Sequence, residues 1–80
     1  MNRAMLLDHL RLAEAHVQSG ERHIALLRRR IAELETGNLD ARLEQARALL
    51  DTLLHSQALH IDHRDRLRVD LTVADAGETG

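Results

Sequence analysis

Cysteine, proline and all three aromatic residues are missing from this 80-residue chain, and only four glycines punctuate it. Without cysteine there is no disulfide to brace the fold, no thiolate nucleophile and no thiolate metal ligand. Without proline nothing forces a break inside a helix. Without Phe, Tyr or Trp the core must come from sixteen Leu, three Ile, three Val, eleven Ala and two Met, and no large ring is available to stack on an exposed base. Eleven basic and thirteen acidic residues leave a net charge of −2, too little to create a field that draws in nucleic acid or an anionic membrane. Long apolar runs are absent as well. Asp8 and Arg11 interrupt the N-terminal stretch before a signal-like segment forms, and nothing approaches the roughly 20 apolar residues of a membrane span. These absences predict a cytoplasmic, non-membrane protein. A domain this small buries little of its surface and needs a disulfide, a metal or association as support. Association is the expected support here.

What is present is a heptad rhythm. Leu6, Leu10, Ala13, Val17, Gly20, Ile24, Leu27, Ile31 and Leu34 are separated by steps of four and three, which keeps one narrow stripe of a helix turned toward a partner helix. His9, His16 and His23 repeat at sevens beside that stripe, each one residue before an apolar residue. A first helix is therefore predicted from about 3 to 36. Gly37 and Asn38 form the turn, with Asn38 as helix cap and Asp40 near the positive end of the second helix. That second helix is predicted from about 39 to 68, with Leu43, Ala46, Leu50, Leu53, Leu54 and Ile61 inward. Gly20 costs a helix about 1 kcal/mol relative to alanine. The rhythm nevertheless crosses it in phase, so one continuous helix is expected in preference to a three-helix bundle, with Gly20 permitting close approach.

So short a connection makes the helices antiparallel, and facing residue numbers sum to about 77. Ile31 then meets Ala46, Leu27 meets Leu50 and Ile24 meets Leu53. Farther out Gly20 lies near Gln57, Val17 near His60 and Ala13 near Arg64, small residues against long polar ones. The predicted fold is all-α: a coiled-coil-like two-helix hairpin over residues 1–73. Its core is Leu10, Val17, Ile24, Leu27, Ile31, Leu34, Leu43, Leu50, Leu53 and Ile61. Met5, Leu12, Leu26, Leu49 and Leu59, together with Leu7, fall off the main seam and would stay exposed on a lone hairpin. A homodimer forming a four-helix bundle, or a higher oligomer, would cover the first five as an interface. Toward the end of the chain, Leu67, Val69, Leu71 and Val73 alternate with polar residues. This is expected to be a helix fraying into a disordered tail at 74–80, with a short strand as the alternative.

The chemistry-bearing residues are sparse. Ser19 and Ser56 belong to no nucleophile motif, the glycines make no phosphate-cradling loop, and the carboxylates sit among arginines, so no enzyme activity is expected. His9, His16 and His23 lie about 10 Å apart along a helix, too far for neighbours to share an ion. His16, His60 and His63 are the only combination with metal-ligand potential, since His60 and His63 share a helix face and the pairing brings His16 to them. The histidines are otherwise expected to cover the seam and meet Glu14 or Glu21, with Glu14 near His63, and no metal or cofactor is expected. Arg22, Arg28, Arg29, Arg30, Arg42 and Arg47 gather at the turn end, but Glu33, Glu35, Glu44 and Asp40 share the region, so nucleic acid is not the expected partner.

The run His16-Val17-Gln18-Ser19-Gly20-Glu21-Arg22-His23-Ile24-Ala25, with Arg28, Ile31, Leu34-Glu35, Gln57-Ala58-Leu59-His60 and Arg64-Asp65-Arg66-Leu67 after it, resembles a group of short α-proteobacterial proteins without an assigned activity. The likeness covers nearly the whole chain. It implies a free-standing small helical protein and carries over no site residues. In architecture the chain also resembles the helical-hairpin RNA-binding repressor of plasmid primer. The expected function is a self-associating protein-interaction or scaffold module, with another protein as a second kind of partner. The alternatives are a nucleic-acid-binding hairpin dimer and a histidine-based metal or pH-responsive module.

Overall fold

The computed structural model describes residues 2–37 and 40–79. Helix α1 spans Arg3–Gly37 and helix α2 spans Asp40–Thr79. They pack side by side in a rod 62 Å long and 14 Å across. The α1 helix begins at an Asn2 cap: its Oδ1 accepts from the Met5 N–H at 2.8 Å and its carbonyl accepts from the Leu6 N–H at 3.0 Å. The side-chain bond satisfies one of the donors that a helix start leaves unpaired, and the carbonyl bond is the first of the regular helical series. Asp40 stands in the first turn of α2, where a carboxylate complements the helix dipole. The expected cap at Asn38 lies outside the described residues. No break occurs at Gly20, so α1 is one continuous helix.

The facing register runs the whole length of the rod. Near the turn Ile31, Leu34 and Ala46 form a core cluster with Leu27, Leu43 and Leu50. At the far end Leu6, Ala13 and Leu67 form a second cluster with Leu10, Leu71 and Ala74. Between them the seam turns polar, around Val17, Gly20, Gln57 and His60. All ten expected core residues are buried or half-buried. Leu54 is not inward but exposed, because it comes one residue after the core position Leu53 and so turns about 100° away from the seam. Leu7, expected to be exposed, is half-buried.

The C-terminal segment departs most from expectation. Neither a frayed tail nor a strand forms among the described residues, and α2 continues past Arg68 to Thr79. The cause is the length of α1. Leu6 and Leu10 need covering, and Leu71 and Leu67 occupy the facing positions at helical spacing. Val69 and Val73, which a strand would put on the same side as Leu67 and Leu71, are exposed. Arg3 Nε donates to Asp75 Oδ1 at 2.8 Å across the rod's end. The alternation of apolar residues is therefore half a helical face overlaid with two surface valines.

Candidate site on the histidine flank

Every heptad helix has two flanks beside its seam, one formed by residues that come just after core positions and one by residues that come just before them. The two flanks of this hairpin differ in chemistry. Glu14, Glu35, Arg47 and Arg68 each come just after a core residue, and they pair between the helices: Arg47 Nη2 donates to Glu35 Oε1 at 3.0 Å and Arg68 Nη2 to Glu14 Oε1 at 3.4 Å. Glu14 thus takes an arginine as its partner, not the expected His63. His63 precedes a seam position and so lies on the opposite flank, out of line with Glu14.

Residues that precede seam positions make the other flank. Over residues 5–26 of α1 these are Met5, His9, Leu12, His16, Ser19, His23 and Leu26, and over residues 49–63 of α2 they are Leu49, Thr52, Ser56, Leu59 and His63. None of these carries a fixed charge. His9, Leu12, Ala13, His16, His60 and His63 line a groove of about 460 Å³. An adjoining hollow of about 200 Å³ is lined by His16, Ser19, Gly20, His23, Ser56 and Gln57, with Leu53 and His60 completing it. His16 and His60 border both. Their rings stand edge to face, with centroids 5.4 Å apart and planes at 71°.

Gln57 floors the second hollow. Its side-chain Nε2 donates to the Val17 carbonyl oxygen at 2.8 Å, and the residue is only 7% exposed. Its Oε1 is buried without a hydrogen-bond partner among the described residues. Gly20 makes the room, since a Cβ there would overlap that oxygen and lie 2.8 Å from Cδ.

The residues singled out from the sequence converge on this flank. Met5, Leu12, Leu26, Leu49 and Leu59 are all exposed and belong to it. His16, His60 and His63 share one groove. Among the described residues, however, no three His, Cys, Asp or Glu side chains are grouped so as to hold a metal ion. In the arginine group near the turn, Arg30 is bound by Glu33 and Arg47 by Glu35, which neutralises part of the patch. No helix among the described residues is long and apolar enough to cross a membrane. The number pairing sets Gln57 opposite Gly20, while its hydrogen bond to Val17 and its depth of burial come from the structure.

No family model, curated protein or solved structure matches this chain.

Proposed function

We propose that this chain is a non-catalytic interaction module that packs the histidine flank of its hairpin on a second copy, forming a four-helix bundle. The observation that carries this reading is the clustering of Met5, Leu12, Leu26, Leu49 and Leu59 on the stretch of flank free of fixed charge. Leu12 and Leu59 are 61% and 62% exposed. The interhelical ion pairs of Glu14 and Glu35 lie on the other flank. A stretch without net charge favours a partner that is equally uncharged, and a second copy meets that condition. Burying the exposed leucines would supply the stabilisation that two small core clusters on a lone hairpin lack.

Sedimentation equilibrium at micromolar concentration tests this. The wild-type chain is expected to be at least a dimer, and the double variant Leu12→Gln, Leu59→Gln a helical monomer. A wild-type chain that is folded and monomeric would overturn the reading, and so would a dimer that survives both substitutions unchanged.

A further inference from the structure

The pattern of the histidine flank is symmetric about one level of the rod. Met5 lies eleven residues before His16 and Leu26 ten residues after it. On α2, Val73 comes within one residue of the level of Met5 and Leu49 within two of the level of Leu26, with Arg66 and Asp70 on the same flank between His63 and Val73. A second copy turned end for end about the His16–His60 level therefore lays Met5 and Val73 against Leu26 and Leu49, twice over. All four are exposed. Such a two-fold arrangement sets the exposed apolar residues of one end against those of the other, beside Arg66 and Asp70, and brings the two His16–His60 pairs face to face on the axis.

The ring spacing within each pair is that of two metal ligands, which would bind once the rings turn their nitrogens toward a common point. Two imidazoles that share a tetrahedral ion at a Zn–N distance of about 2.0–2.1 Å have ring centres about 5 Å apart. His16 and His60 have theirs at 5.4 Å. A single chain supplies two ligands at this level, and no three are grouped among its described residues, so the site is incomplete without a second copy. With both copies present it has four nitrogens. Cysteine is absent, which leaves imidazole as the donor at this level, suited to zinc, copper(II) and nickel and unsuited to calcium or magnesium.

We propose that His16 and His60 of two copies jointly bind one divalent transition-metal ion of the zinc class on the dimer axis. The site rests on the self-association proposed above and names its ligand. Metal that binds the dimer and not the monomer strengthens association by mass action.

A zinc titration of the full chain tests this, read by sedimentation and by metal analysis after gel filtration, with cobalt(II) as a spectroscopic substitute. Expected are one zinc per two chains, a tetrahedral cobalt spectrum, and dimer dissociation weakened by at least about tenfold, reversed by EDTA. His16→Gln and His60→Gln should each abolish these effects, while His55→Gln, which lines a separate groove with Asp51, Thr52, Ser56 and Leu59, should leave them intact. A dimer indifferent to zinc would overturn the metal site and leave self-association standing. A chain monomeric with or without zinc would overturn both. One zinc per chain on a monomer, or full binding in His16→Gln, would likewise overturn the shared site.

Discussion

Gln57 occupies the space that any side chain on Gly20 would need: a Cβ at Gly20 would overlap Gln57 Oε1. The glycine is the counterpart of a buried amide that crosses the seam to the Val17 carbonyl. Gly20→Ala should gain about 1 kcal/mol in helix propensity. It should lose a similar amount as the amide is displaced from a hydrogen bond worth about 0.5–1.5 kcal/mol. The net change is expected to be small or unfavourable. In a Gln57→Ala background the clash is gone, and Gly20→Ala should stabilise by about 1 kcal/mol. A double-mutant cycle by urea unfolding checks this. Additivity within about 0.3–0.5 kcal/mol would show that the two residues do not compete.

The turn-end cluster makes a contrast between neighbours. Ile31 and Leu34 are enclosed in it, so Ile31→Ala or Leu34→Ala should cost about 2–5 kcal/mol. The half-buried Leu27 and Leu50 should fall toward the lower end of that range. Leu54→Ala, at an exposed position, should stay within about 0.5 kcal/mol of wild type. Equal losses at Leu34 and Leu54 in urea unfolding would mean that the seam is rotated from the position described.

The C-terminal helix can be tested one residue at a time. Leu71 packs on the far cluster while Val69 faces outward. Leu71→Ala is therefore expected to cost at least about 2 kcal/mol, and Val69→Ala to remain within about 0.5 kcal/mol. If Val69 and Leu71 proved equally sensitive to thermal unfolding, the residues would share a face, as in a strand.

The interhelical ion pairs should contribute little. Glu14, Arg68, Glu35 and Arg47 are each around half exposed, and pairs of this kind are worth about 0–1 kcal/mol and are screened by salt. Glu14→Gln and Arg47→Gln are expected to lower stability by less than about 1 kcal/mol each at low salt. At about 1 M NaCl the difference should vanish. A larger, salt-insensitive loss would point to a packing role for the arginine stems instead.

Much of this architecture was legible in the chain. The three-four steps from Leu6 to Leu34 defined the seam, and the number pairing placed Gly20 by Gln57 and His16 by His60. The same pairing, carried to its end, sets Leu6 against Leu71 and so requires α2 to extend beyond Arg68. Local alternation at 67–73 obscured this. A period of two and a period of 3.5 coincide at Leu67 and Leu71, and they differ only at Val69 and Val73, which sequence alone could not assign to a surface.

The sequence by itself determined the helices, their antiparallel pairing and the separation of seam from flank, because these come from spacing along one chain. Which partner Glu14 chose, how deeply Gln57 was drawn in and how closely His16 and His60 approach were decided by the tertiary structure. Those outcomes depend on side-chain reach across the gap between two helices, and that gap is set by the residues packed on both sides of it together.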